Sequence, residues 1–111
     1  MPSIRCGASP SAPTLRPPAE HFRLVQRLEA WGFESVWAGD HVSFHNPIHE
    51  CLTLLSTYVG ITDRIKLGTA VYLLALRSPA VAAKATATLD VLSGGRLIFG
   101  VGVGGDRKSV V

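Results

Sequence analysis

The sequence predicts an α/β protein in which helices cover a parallel β-sheet, and three observations support this prediction. Apolar strand candidates begin near residues 3, 35, 65 and 97. Their spacing of about thirty residues is the size of one strand–helix unit. The candidates lack polar alternation, which is typical of strands buried on both faces. A helical pattern lies between each strand and the next, so the strands should run parallel.

The first strand candidate covers residues 4–7, and a loop rich in Ser and Pro continues to Pro18. Proline at a first helical position favours a helix that begins there. Gly32 provides the stop signal of this helix, and residues 35–38 form the second strand candidate. The apolar face of the helix is predicted from residues at helical spacing, which are Leu24, Val25, Leu28 and Trp31.

The second helix is predicted to begin near Glu50 and to end near Thr62. Residues 65–74 then form a continuous apolar run with β-branched members, which indicates a third strand buried on both faces. The apolar side of the second helix consists of Leu52, Leu55, Tyr58 and Val59.

The third helix has a start and a stop signal in the sequence. Ser78 precedes Pro79, which is the pattern of an N-cap followed by proline at the first helical position. The helical pattern continues until Gly94 and Gly95 stop it. Residues 97–103 form the fourth strand candidate.

The composition of the chain argues against several classes of partner. The net charge of +3 comes from 11 basic and 8 acidic residues without a run of Lys or Arg, so no nucleic-acid partner is expected. Cys6 and Cys51 have no metal-site spacing, and no metal is expected. No window approaches the roughly 18 apolar residues of a membrane span, and the start lacks a signal peptide's apolar stretch. We therefore expect a soluble, reduced, cytoplasmic protein without a membrane partner.

Two architectures fit four such strands. A doubly wound sheet reverses its strand order at a switch point, whereas the first half of an eight-stranded βα barrel keeps the strands in sequence order. In both, catalytic residues lie at the carboxyl ends of the strands, where Asp40 and His41 follow strand two. A complete barrel takes about 250 residues. The barrel interpretation therefore makes residues 1–105 the amino-terminal half of a domain and leaves residues 106–111 as a tail of unclear origin.

A glycine pattern at strand four has a competing interpretation. Gly100, Gly102 and Gly105 fit G-x-G-x-x-G, the dinucleotide-binding fingerprint. That fingerprint needs a helix directly after it and an acidic residue about twenty positions further on, and it normally follows the first strand of its fold. The position of these glycines therefore disfavours a dinucleotide site.

The histidines and the acid beside them also have simpler interpretations. Three histidines four residues apart would align on a helix as zinc ligands, but Pro47 interrupts any helix there. Solvated loop histidines are therefore the simpler interpretation. Asp40 and His41 fit a plain loop cap as well as a chemical pair. The three histidines are His41, His45 and His49.

Two segments of the chain resemble a known family. LEAWGFESVWAGDHV, at residues 28–42, and residues 52–105 are similar to the N-terminal half of the luciferase-like monooxygenase family. They look most similar to its branch that uses the deazaflavin coenzyme F420. GDHV at the end of strand two, TDRIKLGT at the start of strand three, and LSGGRL before GVGVG occur in the family's order and spacing. The resemblance covers roughly residues 19–105.

The resemblance implies a TIM-type (β/α)8 barrel, of which this chain would hold the first four strands and three helices. It implies that a flavin or deazaflavin ring lies across the carboxyl ends of the strands, with Asp40 as a cofactor contact. It also implies that His41 serves as an acid or base. A histidine that titrates near neutrality can move the substrate proton while hydride joins or leaves the ring.

Strands three and four would supply the rest of the cofactor site. In relatives, the peptide bond at the position of Ala70-Val71 is cis and forms a bulge behind the central ring. A small residue at Ala70 would let a flat ring approach closely, although both residues also fit a plain strand core. Val103 and Gly104 match positions whose backbone approaches the cofactor, and a small residue there leaves room for it.

The resemblance implies F420-dependent hydride transfer to or from a small organic substrate. The first alternative is an FMN-dependent monooxygenase that acts on O2 and takes reduced flavin from a partner reductase. The second is a non-catalytic truncated half-barrel. Sugar-phosphate dehydrogenases of this branch have an acid at Gly105 and Thr at Leu73, so a less polar substrate is expected. The full-length protein is expected to be a homodimer, and 111 residues alone should neither bind cofactor tightly nor turn over.

Overall fold

The computed structural model describes residues 5–10, 15–42 and 45–103. Strands and helices alternate in the predicted order. A 3-10 turn at Leu74–Leu76 connects the third strand to the third helix. The elements are β1 (Gly7–Ala8), α1 (Pro18–Ala30), β2 (Ser35–Ala38), α2 (Cys51–Val59), β3 (Lys66–Leu73), α3 (Pro79–Leu92) and β4 (Leu97–Gly102).

The sheet has the strand order of a barrel. Its order is β1-β2-β3-β4, and each neighbouring pair is parallel. This order confirms the half-barrel prediction and rules out the doubly wound sheet, in which the order would reverse. The bounds of β2 agree with the prediction, whereas β1 shares only Gly7 with its predicted range of 4–7, because its ladder to β2 covers Gly7 and Ala8.

The core lies between the sheet and the three helices. Val36 and Ala38 of β2 point into it, and the Trp37 indole lies on the opposite face of the sheet, across Gly68. A Cβ at Gly68 would overlap that indole ring, so the glycine leaves room for it. The most enclosed large side chains are Tyr58, Leu55, Ile65, Leu67, Val25 and Val36.

The buried face of α1 differs from the prediction at one position. Val25 and Leu28 are buried as predicted, but Trp31 is 67% exposed and forms the C-cap of the helix. The buried stripe instead includes two polar residues, His21 and Glu29. Because the buried stripe runs through Glu29, Trp31 lies outside the stripe and its side chain faces solvent. A buried polar residue at helical spacing has no apolar signal, so the sequence pattern missed it.

Glu29 anchors the loop that enters β3 at the amino end of the sheet. Its carboxylate accepts hydrogen bonds from the backbone N–H groups of Asp63 at 3.0 Å, Arg64 at 2.9 Å and Ile65 at 2.9 Å. Burial alone would raise the pKa of Glu29, but these backbone donors and the Arg64 charge outweigh it and lower the pKa. The ionised carboxylate therefore fixes the position at which β3 begins.

Arg96 provides a second anchor at the same end. Its guanidinium is buried just before β4 and donates to the Thr62 hydroxyl at 2.8 Å and the Ile65 carbonyl at 3.1 Å. Weaker bonds reach the carbonyls of Val59 at 3.4 Å and Thr62 at 3.3 Å. The side chain thus ties the end of α2 and the start of β3 to the start of β4. No helix in the described part of the chain has the length and apolar character to cross a membrane.

Candidate active site

The parallel register brings distant parts of the sequence to one rim. Ala38 pairs with Thr69, and Leu73 pairs with Gly102, so the carboxyl ends of β2, β3 and β4 lie side by side. Asp40 and His41 follow β2 at this rim, and Val103 follows β4. Gly104, predicted as a cofactor contact, lies outside the described residues.

A bulge interrupts the pairing of β3 with β4 near this rim. The ladder pairs Thr69 with Phe99 and then Tyr72 with Val101, which leaves Ala70 and Val71 without ladder partners. The peptide bond between these two residues is cis, which confirms that geometric prediction. Both side chains are exposed, Val71 by 40%. Ala70 and Val71 therefore present an uncovered surface at the rim.

The Thr69 hydroxyl replaces the interrupted ladder. It donates to the Gly100 carbonyl at 2.8 Å and accepts from the Gly100 N–H at 2.9 Å. A buried threonine thus satisfies both main-chain groups of Gly100 where the strands cannot pair directly. This side chain holds the bulge against β4.

The glycines of β4 leave space for the same bulge. A Cβ at Gly100 would clash with the Thr69 carbonyl oxygen, and one at Gly102 would clash with the Val71 side chain. The spacing that resembles a dinucleotide fingerprint therefore has a packing explanation in β4. Gly105, the last member of that pattern, lies outside the described residues.

Asp40 is the most enclosed charged group of the rim, with a side chain that is 0% exposed. Its Oδ1 accepts from Nη2 of Arg77 at 2.7 Å. Its Oδ2 accepts from Nη1 of the same guanidinium and from the Leu73 N–H at 2.7 Å. Both oxygens are thus bound inside the protein. The predicted cofactor contact of Asp40 stays a prediction.

Arg77, which sequence reasoning missed, has further partners. It donates to the Leu73 carbonyl at 3.2 Å, and its guanidinium carbon lies 4.5 Å from the centre of the Tyr72 ring. Its Nη2 is 3.6 Å from a carboxylate oxygen of Glu50. Hydrogen bonding to Asp40 raises the pKa of Arg77, so the guanidinium stays charged. An isolated Arg after an apolar strand, in a chain with 17% charged residues, was the available signal.

Glu50 links this pair to α2. Its carboxylate caps the helix by accepting from the Leu52 N–H at 3.3 Å and the Thr53 N–H at 2.7 Å. The helix therefore begins after the predicted start residue, which is its N-cap. Residues 45–50 are not helical, so the three histidines do not share a helical face. His41 is half-buried at the rim.

Cys51 lies near the carboxylates of Asp40 and Glu50 but is not a nucleophile. Its thiol is buried and donates to the Ala38 carbonyl at 3.8 Å. Burial and the negative charges of Asp40 and Glu50 raise the pKa of Cys51 to about 12. The group is therefore a neutral thiol at physiological pH.

A parallel sheet in sequence order, covered by helices on its outer face and with polar side chains at its carboxyl-end rim, has the architecture of half a (β/α)8-barrel enzyme. Residues 3–110 match the luciferase-like monooxygenase family. The match covers nearly the whole chain, and the chain belongs to this family.

Individual relatives agree with this assignment. The F420-dependent glucose-6-phosphate dehydrogenase of Kineococcus radiotolerans is 42% identical over 85 residues, which cover 70% of this chain and 25% of that protein. The 4-hydroxyprotoasukamycin monooxygenase of Streptomyces nodosus subsp. asukaensis is 37% identical over 82 residues, covering 73% of this chain and 22% of that protein. This chain thus spans about a quarter of the length of the curated relatives it matches.

A solved structure shows the same fold. The coenzyme F420-dependent tetrahydromethanopterin reductase of Methanopyrus kandleri matches with a TM-score of 0.73 and 33% identity. The match covers 96% of this chain and 28% of that chain. Enzymes of the family are oxidoreductases and monooxygenases, and the relatives include F420-dependent enzymes.

Proposed function

We propose that the protein is an oxidoreductase that uses coenzyme F420 and transfers hydride to or from a small organic substrate at the carboxyl-end rim. The observation that carries this proposal is the rim itself, where an exposed bulge and a half-buried histidine lie at the carboxyl ends of neighbouring strands. The F420-dependent relatives at 42% and 33% identity support the choice of cofactor.

The residues of the rim fit a flat ring. Ala70 and Val71 are exposed, and Ala70 has only a methyl side chain. A planar group can therefore lie against the bulge without displacing side chains. F420, when bound, would supply the carbon that carries the hydride. Val103, which is 75% exposed, and Gly104 would offer backbone to its edge.

His41 would move the proton that accompanies hydride transfer. An imidazole at the rim can accept a proton from a substrate hydroxyl at one ring nitrogen, or return it in the reverse direction. The half-buried position leaves part of the ring accessible to a substrate. The Ala70–Val71 bulge would set the depth at which the cofactor ring lies.

The substrate is proposed to be less polar than a sugar phosphate. Leu73, where sugar-phosphate dehydrogenases of the resembling branch have Thr, is a buried apolar residue at the end of β3. A leucine side chain offers no hydrogen bond to a sugar hydroxyl. A cytoplasmic location and a homodimeric full-length form are part of the same proposal.

The second candidate function is an FMN-dependent monooxygenase supplied by a partner reductase. The relative from Streptomyces nodosus, which is named as a monooxygenase and is 37% identical, favours it. The same rim would then hold the flavin ring, and O2 would be the second substrate.

A cofactor titration separates these functions. The protein, expressed from its complete gene, is titrated with F420 and with FMN while the absorbance or fluorescence of each chromophore is followed. The proposal expects F420 to bind at least ~10-fold more tightly than FMN, a difference of about 1.4 kcal/mol. Tighter binding of FMN would select the monooxygenase. Binding of neither would favour the non-catalytic half-barrel.

A further inference from the structure

We infer that Asp40 acts through Arg77 as a positioning residue, which holds the loop of His41 against the end of β3 without itself contacting the cofactor. This inference rests on the proposed function, because it concerns how the proposed acid–base group is held in place. Asp40 and Arg77, joined by two side-chain hydrogen bonds, form the rim clamp.

The hydrogen bonds of Asp40 leave it little capacity for a ligand. Its two oxygens accept three hydrogen bonds, two from Arg77 and one from the Leu73 N–H. The side chain is fully enclosed. A direct cofactor contact would need an oxygen at the surface, and exposing one would leave the partly buried Arg77 charge without its partner.

The rim clamp connects the loop that follows β2, which carries His41, to the end of β3, which carries Ala70 and Val71. Asp40 precedes His41 in the chain. The Leu73 N–H and C=O, which Asp40 and Arg77 bind, lie two residues after Val71. Arg77 also contacts the Tyr72 ring and lies near Glu50, the N-cap of α2. The loop of His41, the bulge and the start of α2 are thus fixed relative to one another.

The chemistry of the rim clamp requires an arginine. A guanidinium presents two parallel N–H donors to the two oxygens of one carboxylate, which fixes both distance and orientation. A lysine at position 77 would keep the charge but would offer a single ammonium that cannot bind both oxygens in this geometry. The Arg77→Lys variant therefore tests orientation separately from charge.

A double-mutant cycle tests the inference. The variants are Asp40→Asn, Arg77→Gln and the double variant, in which neither side chain is charged. Turnover and cofactor affinity are measured for each. If the rim clamp positions His41, each variant should lower kcat by about 10–100-fold. The double variant should lose no more than the worse single variant, because both changes break one interaction. Cofactor affinity should change by less than ~3-fold in all three.

Direct contact would give a different pattern. In that case Asp40→Asn would weaken cofactor binding by at least ~10-fold, Arg77→Gln would not, and the effects would add. Either that pattern or full turnover in Arg77→Lys would overturn the inference. Arg64→Lys is the matched control, because Arg64 binds the Glu29 carbonyl at the amino end of the sheet. It should leave kcat and cofactor affinity unchanged.

A measurement without cofactor keeps the inference separate from the proposed function. In Arg77→Lys, the backbone amide resonances of His41 and Leu73 should shift in NMR spectra, and the Leu73 amide should exchange faster with solvent. Arg64→Lys should leave both amides unchanged. Unchanged His41 and Leu73 amides in Arg77→Lys would refute the positioning role, even in a protein that bound neither F420 nor FMN.

Discussion

The two ends of the β-sheet fix their loops in different ways. At the amino end, Glu29 and Arg96 bind main-chain groups of the segment that connects α2 to β3, together with the Thr62 hydroxyl. At the carboxyl end, Asp40 and Arg77 bind each other through two side-chain hydrogen bonds. The amino end is thus held mainly by side chains that bind backbone, whereas the carboxyl end is held by a pair of opposite charges that also binds the Leu73 backbone.

This difference matches what each end does in a barrel. Anchors that bind main chain depend little on the sequence of the loop they hold, so they suit the end that supports the fold. An ion pair between side chains from two loops aligns those loops with each other, which a site built from both requires. We therefore expect substitutions at the amino end to change stability and substitutions at the carboxyl end to change turnover.

The largest effect is expected at His41. His41→Ala should lower turnover by about 10²–10⁴-fold, equivalent to roughly 3–5 kcal/mol of activation free energy, because it removes the proposed acid–base group. Cofactor affinity and the melting temperature should change little. Steady-state kinetics measures turnover, the cofactor titration measures affinity, and thermal unfolding measures the melting temperature. Near-normal single-turnover hydride transfer in the variant would remove His41 from the mechanism.

Arg96→Met should have the next largest effect, on stability alone. The substitution keeps an unbranched side chain but removes the donors to the Ile65 and Thr62 carbonyls, at a cost of about 2–4 kcal/mol. Urea unfolding measures the free energy, and kcat per folded molecule should stay at the wild-type value. A variant as stable as the wild type, or one that loses turnover while folded, would contradict the separation of the two ends.

Glu29→Gln should destabilise the protein by about 1–3 kcal/mol at neutral pH, because a charged acceptor of three backbone N–H groups becomes neutral. The lowered pKa of Glu29 means that the ionised carboxylate stabilises the folded state above the usual value of 4.5. This stabilisation is lost as pH falls through the folded pKa. Melting temperatures across pH should therefore differ most near neutrality and converge in acid. A pH-independent difference would show that the charge of Glu29 is not its contribution.

The smallest effect is expected at Trp31, two residues from Glu29. Because its side chain is 67% exposed, Trp31→Gln should change the free energy of unfolding by less than about 0.5 kcal/mol. It serves as the matched control for Glu29→Gln at the end of the same helix. A loss above ~1 kcal/mol would indicate that the ring packs against protein after all.

Much of the fold and part of the site could be predicted from sequence. The strands β2, β3 and β4 were predicted within two residues, because continuous apolar runs bounded by glycine and proline have few alternative structures. The placement of Asp40, His41, Ala70, Val71 and Val103 at one rim also agrees with prediction, since parallel strands in sequence order align their carboxyl ends. Their chemical roles stay predictions.

The sequence by itself determined the alternation of strands and helices and the parallel direction of the sheet, because these depend on local periodicity and order. The family was recognised separately, from the resemblance of residues 28–42 and 52–105. Only the tertiary structure decided which polar groups are buried together. The enclosed pair of Asp40 and Arg77 joins residues 37 positions apart, and Glu29 holds a loop 34 to 36 positions away. Such pairs form because a buried charge must find a partner, and the position of that partner is set by how the elements pack.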